Sequence, residues 1–181
     1  AGPRALDLLR AARADDPEAR RFGVLAAPRL RDRRVAEALG GLVAGEASLA
    51  AGNPRDAVAA LEDAVAAAPE LGFDVVPSWH RPALAYQALA TAYERDGQPD
   101  LALATWRHLA ERPVQAVASG SIPDVAAHVS ALYHVGRLAE AAGDDAAAAD
   151  ATAAFLRRWG EAGRPETADA RARLDRLRGR P

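Results

Sequence analysis

The sequence contains no cysteine and no lysine, and each absence excludes a class of function. Without cysteine the chain has no disulfide, no thiolate metal ligand and no thiol nucleophile. All 23 basic residues are arginine, so a phosphate-binding loop that depends on lysine is excluded as well. The 25 acidic residues leave a formal net charge of −2, and acids are interspersed among most arginine groups. We therefore expect no nucleic-acid interface.

Aromatic residues and long apolar runs are also scarce. Aromatics make up 5% of the chain although hydrophobic residues make up 50%, so most of the apolar content is alanine, leucine and valine. Alanine and leucine are strong helix formers, whereas an extensive sheet needs more β-branched and aromatic residues. No apolar run approaches the ~20 residues of a membrane-spanning helix. The composition predicts a soluble all-α protein without a membrane segment.

Three segments of the sequence resemble one another. In each, a glycine follows an Ala-rich stretch, a polar residue and a Pro or Asp come next, and apolar residues then return at helical spacing. Glycine adopts the left-handed conformation that ends a helix, and Pro or an acidic cap suits the start of the next helix. The pattern predicts tight helix–helix turns, with Asp144 as one of the caps. The segments are GNPRDAVAALEDAVAAAP from Gly52, GQPDLALATWRHLAERP from Gly97 and GDDAAAADATAAFLRRWG from Gly143.

Small residues that allow close helix packing occupy equivalent sites before the three turn glycines. With the residues around them they resemble the tetratricopeptide repeat, which has small residues at its eighth and twentieth positions and Pro near its thirty-second. The resemblance covers roughly residues 38–160 and implies a right-handed solenoid of helical hairpins. The matching residues are Gly45, Ala57 and Pro69, then Ala90, Tyr93, Gly97 and Ala102, then Gly136, Gly143, Ala148 and Phe155.

The spacing of the repeats departs from that family. The turn glycines lie 45 and 46 residues apart, whereas the family period is about 34. Inserted loops are one explanation of the extra length, and longer first helices, over 29–51 and 123–142, are the alternative; the two are compatible. We predict hairpins at 3–27, 29–68, 83–112 and 123–160, the first of them degenerate, and a C-terminal capping helix over 165–178. These form a single domain over 1–181, which we expect to be a fragment of a longer protein because the sequence begins without methionine.

Residues of catalytic or metal-binding type form no recognisable motif. No two of the four histidines lie three or four positions apart, and a carboxylate four residues from a histidine, as in Asp124 and His128, is common on helix surfaces. A structural zinc needs about four ligands. No nucleophile elbow is present either. We expect no metal, no cofactor and no enzyme activity.

Aromatic anchors divide into two kinds. Trp106 and Phe155 lie on the apolar stripes of second helices, which predicts that both are in the core. Trp79 lies in an irregular, proline-containing insert over 70–82, where it is either a structural staple or part of a binding loop. The sequence leaves these two alternatives open.

The family resemblance also implies where a partner binds. The concave face of such a solenoid is lined by first helices. Besides the partner-binding residues given next, that face is expected to contain Leu42, Glu46, Leu49, Glu94 and Glu140. The predicted partner-binding residues are Gln87, Thr91, Arg95, Tyr133 and Arg137.

A docking function is the leading hypothesis, with a protein or a peptide as the partner. Residues 84–177, with their FLRRW and ARARL segments, resemble tetratricopeptide regions that follow bacterial serine/threonine kinases and transcriptional regulators. That resemblance implies a cytoplasmic docking or regulatory arm of a larger bacterial protein. Two alternatives remain: a homodimer formed through the first helices, or a small-molecule sensor that controls an attached kinase or DNA-binding domain.

Overall fold

The computed structural model describes residues 33–67, 82–111, 122–161 and 163–179. These residues form seven helices and no strand, which confirms the all-α prediction. The predicted hairpin at 3–27 and the insert that contains Trp79 lie outside the described residues. The helices are α1 (Arg33–Ala50), α2 (Pro54–Ala67), α3 (Pro82–Arg95), α4 (Pro99–Glu111), α5 (Ile122–Ala141), α6 (Asp145–Trp159) and α7 (Pro165–Arg178).

Glycine ends a helix at each of the three predicted turns. Gly52, Gly97 and Gly143 have φ values of 79°, 75° and 80°, a region that residues with a Cβ rarely adopt. The amide after each glycine donates to the carbonyl five residues earlier, as in Asn53 N to Ser48 O at 2.9 Å. This is the hydrogen-bond pattern of a Schellman motif. At the third turn Asp144 also caps α6, since its carboxylate accepts from the Ala147 amide at 3.1 Å. The predicted turns and this cap are confirmed.

Long first helices explain part of the extended repeat. Helix α1 has 18 residues and α5 has 20, whereas α3 has 14. Helix α7 begins and ends where the capping helix was predicted.

The chain divides into two compact units, Ala1–Gln98 and Pro99–Pro181. In the first unit, α2 packs against α1 and α3. In the second unit, α5 packs against α4 and α6, and α6 packs against α7. Consecutive helices within each unit therefore pack as neighbours, as expected for a helical repeat.

Small residues set the distance between the helices of a hairpin. A Cβ added to Gly45 in α1 would collide with the Leu61 side chain of α2, and one added to Gly136 in α5 would collide with the Thr152 hydroxyl of α6. Trp106 and Phe155, each 1% exposed, fill the core of the second unit as predicted. Within the described part of the chain, no helix is both long enough and apolar enough to cross a bilayer.

Candidate functional site

A groove of about 600 Å³ lies between α1 and α3 in the first unit. Three of the five predicted partner-binding residues, Gln87, Thr91 and Arg95, line it from α3. The lining from α1 is Leu42, Val43, Glu46, Leu49 and Ala50, and α3 adds Leu84 and Ala88. We refer to this feature as the α1–α3 groove.

One wall of the groove is largely apolar. Leu42 and Val43 are half-buried, Leu49 is buried, and Glu46 is the exposed polar residue of this wall. From α3, Leu84 and the buried Ala88 extend the apolar surface across the groove floor. Apolar side chains of a ligand would gain contact here, while water keeps access to the rim.

The other wall presents a line of polar side chains. Gln87, Thr91 and Arg95 are spaced four residues apart on α3, so they share one helix face at intervals of about 6 Å. The Thr91 hydroxyl donates to the Gln87 backbone carbonyl at 2.9 Å. That bond uses the donor of the hydroxyl, so its remaining capacity in the groove is as an acceptor. Along α3, a ligand therefore meets the side-chain amide of Gln87, the hydroxyl acceptor of Thr91 and the guanidinium of Arg95.

Arg95 closes the groove at the C-terminal end of α1. Its Nη1 donates to the Leu49 carbonyl oxygen at 3.1 Å, one of the last carbonyls of that helix. A cation is favourable at this end because of the helix dipole. The acceptor is neutral, and no carboxylate among the described residues forms an ion pair with Arg95. A carboxylate of a ligand could therefore pair with this guanidinium.

A buried tyrosine holds α3 in place beside the groove. The Tyr93 hydroxyl donates to Glu62 Oε1 of α2 at 2.6 Å. Burial raises the pKa of Tyr93 to about 12, and the hydrogen bond and negative charge of Glu62 add to the shift. Tyr93 bonds to α2 and does not line the groove, so we assign it the role of positioning α3.

Tyr133 and Arg137, the other two predicted residues, lie on α5 in the second unit. The Tyr133 hydroxyl donates to Asp169 Oδ2 of α7 at 3.0 Å, and the Arg173 guanidinium lies 5.2 Å from the centre of the Tyr133 ring. Burial and the hydrogen bond to Asp169 raise the pKa of Tyr133, and Arg173 opposes that shift. Arg137 Nη2 lies 3.4 Å from Nδ1 of His134.

Glu140, further along α5, also contacts α7. It accepts from Arg173 Nε at 3.1 Å and from Arg176 Nη2 at 3.2 Å. Side chains of α7 thus cover two positions, 133 and 140, that the sequence placed on a concave face. The sequence predicted α7 as a cap but gave no sign of this polar contact with α5.

Four lining residues of the α1–α3 groove were missed from the sequence: Val43, Ala50, Leu84 and Ala88. Each lies one, three or four residues from a position that had been assigned to the concave face. Helical spacing alone would have identified them.

Two histidines of the second unit, His128 and His134, contact residues of α4. Burial lowers the pKa of His128, a contact with the Leu109 carbonyl at 3.3 Å opposes the shift, and Arg158 adds to it. The His134 ring stacks on Trp106 with 4.2 Å between ring centres. No group of three or more potential metal ligands occurs among the described residues.

Comparison with known proteins assigns no family to the chain. No protein-family model matches it, and no curated protein matches its sequence significantly.

Proposed function

We propose that this chain is a tetratricopeptide-like scaffold that binds a peptide segment of a partner protein in the α1–α3 groove. The observation that carries the proposal is the pairing of two unlike walls, an apolar one from α1 and a polar line of Gln87, Thr91 and Arg95 on α3. This pairing suits a peptide, which has apolar side chains and a polar backbone.

The spacing of the polar line favours an extended peptide over a helical one. Side chains four residues apart on a helix recur every ~6 Å. Backbone groups on one side of an extended peptide recur every two residues, or about 6.6 Å. Gln87 and Thr91 match successive backbone groups in this arrangement. A helical ligand satisfies its own backbone groups and would gain little from such a line.

Charge adds a preference for an acidic residue at one end of the peptide. Arg95 presents a guanidinium beside the carbonyl of Leu49, and a carboxylate is its natural partner. Glu46, on the opposite wall, favours a basic or neutral residue about one helical turn away from that carboxylate.

We also propose that the scaffold is a right-handed solenoid in a cytoplasmic docking or regulatory arm of a larger bacterial protein. The support is the resemblance of residues 84–177 to regions of that kind and the consecutive helix packing within each unit. A second candidate, a small-molecule sensor, is favoured by the groove volume of about 600 Å³, which lies within the ~300–1,000 Å³ of known ligand pockets.

A peptide selection tests the proposal. Random peptides displayed on phage would be selected for binding to the whole chain. The dissociation constants of the selected peptides would then be measured by fluorescence anisotropy. Thr91→Arg places a long cation in the middle of the groove, and we expect it to weaken binding by roughly tenfold or more, or about 1.4 kcal/mol.

Thr105→Arg is the matched control, because Thr105 on α4 makes the same bond to the carbonyl four residues earlier, Leu101 O at 2.7 Å. It should leave affinity unchanged. Equal affinities of the two variants for every selected peptide would reject the groove as the peptide site. Recovery of no peptide, together with binding of small molecules that Thr91→Arg abolishes, would favour the sensor.

A further inference from the structure

The two helices of the α1–α3 groove run side by side from one contact. Helix α1 ends at Ala50 and α3 ends at Arg95, and the bond from Arg95 Nη1 to the Leu49 carbonyl joins these ends at 3.1 Å. Each helix also lines the groove with its preceding turns. Positions along the groove can therefore be measured from this contact, with the helical rise of about 1.5 Å per residue.

The end of the groove far from Arg95 is apolar. Leu42 lies seven residues before Leu49, about 10.5 Å along α1, and Leu84 lies eleven residues before Arg95, about 16.5 Å along α3. Both Leu42 and Leu84 are half-buried, and the lining residue that follows Leu84 by one turn on this floor is the buried Ala88. Because alanine adds only a methyl group to the groove, this end has room for a large apolar side chain of a ligand.

The charged end of the groove is directed at the side chains of a ligand. The Arg95 guanidinium reaches across to α1, where it donates to the Leu49 carbonyl, whereas the Thr91 hydroxyl bonds within α3 to the Gln87 carbonyl. The guanidinium thus lies on the α1 side of the polar line. A peptide backbone that follows Gln87 and Thr91 passes beside it, so the carboxylate that pairs with Arg95 is that of an Asp or Glu side chain.

The distance between the two ends determines the spacing of the ligand residues. An extended chain advances about 3.3 Å per residue, so an interval of ~10.5 to ~16.5 Å corresponds to roughly three to five residues. Successive side chains of an extended chain point to opposite sides. Only an even separation therefore directs both side chains into the groove, and four is the one even number in this interval.

Glu46 lies beside the middle of the same segment. It is exposed and lies four residues after Leu42 and three before Leu49, so it stands between the apolar end and the Arg95 contact. The ligand residue halfway along the segment points to the same side as the residues two positions before and after it. A basic residue there can pair with Glu46, whereas an acidic residue is repelled.

Building on the proposed peptide binding, we propose that the α1–α3 groove selects extended segments with a large apolar residue, a basic residue two positions away and an acidic residue four positions away. The three side chains lie on one side of the segment. They meet Leu42 and Leu84, then Glu46, then Arg95. Because the carboxylate belongs to a side chain, the segment does not have to lie at the C-terminus of its protein.

Peptides of one composition test the spacing. Leu-Ser-Arg-Ser-Asp has the proposed pattern, Leu-Ser-Arg-Asp-Ser shortens the separation of Leu and Asp to three, and Leu-Ser-Asp-Ser-Arg exchanges the charges. Each is also made in reverse order, because the spacing holds for either direction of the chain. A fluorophore blocks the N-terminus and an amide removes the carboxylate of the C-terminus. By fluorescence anisotropy with the whole chain, we expect the proposed pattern, in its tighter-binding direction, to bind roughly tenfold more tightly than either alternative.

A charge exchange in the groove tests which residues read the pattern. The double variant Glu46→Arg, Arg95→Glu keeps the net charge, and both side chains are exposed. We expect the preference to reverse, so that the charge-exchanged peptide binds several-fold more tightly than the proposed pattern. A reversal cannot result from loss of structure. The matched control is Arg55→Glu, Asp63→Arg, which exchanges two exposed charges of α2 that do not line the groove and should leave the preference unchanged.

The outcomes distinguish the spacing from the peptide site itself. Equal affinity for all the peptides, lost in Thr91→Arg, would overturn the spacing and leave the groove as a peptide site. Absence of binding by all of them, while phage-selected peptides bind in the groove, would also overturn the spacing, as would a preference that the charge exchange leaves unchanged. Phage-selected peptides whose affinity Thr91→Arg does not alter would overturn the peptide site, and the spacing with it.

Discussion

The α1–α3 groove and the α5–α7 contact involve equivalent positions of two first helices, α1 and α5, but a groove lies beside the first set and a helix contacts the second. Leu42 and Tyr133 each lie ten residues before a turn glycine, and Leu49 and Glu140 each lie three before. In α1 these positions are leucines, and a groove of about 600 Å³ remains beside them. In α5 they are a tyrosine and a glutamate that bond to Asp169, Arg173 and Arg176.

The difference lies in side-chain polarity, because the tyrosine and the glutamate of α5 bond to α7 whereas the leucines of α1 have no polar side-chain atoms. Leucine side chains cannot form hydrogen bonds, and α3 makes one bond to this wall, from Arg95 Nη1 to the backbone carbonyl of Leu49. The other donors of the Arg95 guanidinium and the amide of Gln87 are the groups that we propose for a peptide. Tyr133 and Glu140 do form such bonds, and α7 uses the surface that a peptide would need. For this reason our proposal of peptide binding concerns the first unit.

The largest expected effect comes from removing Arg173, a buried arginine of the α5–α7 contact. The Arg173 side chain is 3% exposed and Glu140 is 16% exposed, so Arg173→Ala leaves Asp169 and a largely buried Glu140 with fewer partners. Loss of one partner of a buried ion pair costs about 3 kcal/mol. Urea unfolding followed by circular dichroism measures this free energy.

Arg95→Ala in the open groove is the counterpart. Arg95 is exposed and makes one bond, to Leu49 O, so we expect a loss of less than about 1 kcal/mol of stability. Peptide affinity should instead fall several-fold, whereas Arg137→Ala should leave it unchanged. Equal stability losses at 95 and 173, or equal affinity losses at 95 and 137, would contradict the contrast between the two regions.

Alkaline pH provides the next largest effect and concerns the tyrosines of both regions. The pKa of Tyr93 is raised to about 12, so its neutral form is stabilised by folding. This contribution is fully present below the unfolded pKa of about 10 and is lost as pH rises from 10 towards 12. The loss is about 2 kcal/mol, and the absence of lysine removes the side chains that otherwise titrate there.

Tyr93→Phe is the control for that titration. Its unfolding free energy should fall less between pH 10 and 12 than that of the unsubstituted chain. Tyr133→Phe should have a smaller effect, because Arg173 opposes the pKa shift of Tyr133. Identical pH profiles for Tyr93→Phe and the unsubstituted chain would contradict the assigned role of Tyr93.

A smaller effect is expected when the residues at equivalent positions of α1 and α5 are exchanged. Leu42→Tyr places in the groove the residue that α5 has at the equivalent position, and the larger ring should occupy ligand space. We expect peptide affinity to fall about fivefold, or roughly 1 kcal/mol. The reciprocal Tyr133→Leu removes the bond to Asp169 and should cost about 1 kcal/mol of stability without changing peptide affinity. Unchanged affinity in Leu42→Tyr would show that the ligand does not contact this end of the groove.

Much of the fold follows from local sequence signals. The turns at Gly52, Gly97 and Gly143 were predictable because positive φ and a polar cap are properties of a few adjacent residues. The apolar stripes with Trp106 and Phe155 were predictable because helical period alone defines them. Neither prediction needs knowledge of distant contacts.

The candidate site was only partly predictable for the opposite reason. The repeat pattern that identified Gln87, Thr91 and Arg95 applies equally to Tyr133 and Arg137. It does not predict which other helix contacts each surface. Coverage of Tyr133 and Glu140 by α7 depends on contacts 33 to 36 residues apart in the sequence. Such long-range pairings carry no local signal.

An expected effect of similar size lies at the hairpin junctions, where the two regions again differ. Leu61 and Thr152 each lie nine residues after a turn glycine, against Gly45 and Gly136. Leu61 is fully apolar, but the Thr152 hydroxyl is buried and has no hydrogen-bond partner among the described residues. Thr152→Val removes that hydroxyl at nearly constant volume, so we expect a gain of about 1 kcal/mol in the free energy of unfolding.

Thr167→Val is the matched control for Thr152→Val. Thr167 is equally buried, but its hydroxyl donates to Trp159 O at 3.3 Å, so the same change should destabilise the protein by about 1 kcal/mol. Opposite signs at 152 and 167 in urea unfolding would show that a hydrogen-bond partner, rather than burial, decides the effect of a threonine. A loss of stability at both positions would mean that the Thr152 hydroxyl has a hydrogen-bond partner. The hairpin junctions of the two units would then not differ in this respect.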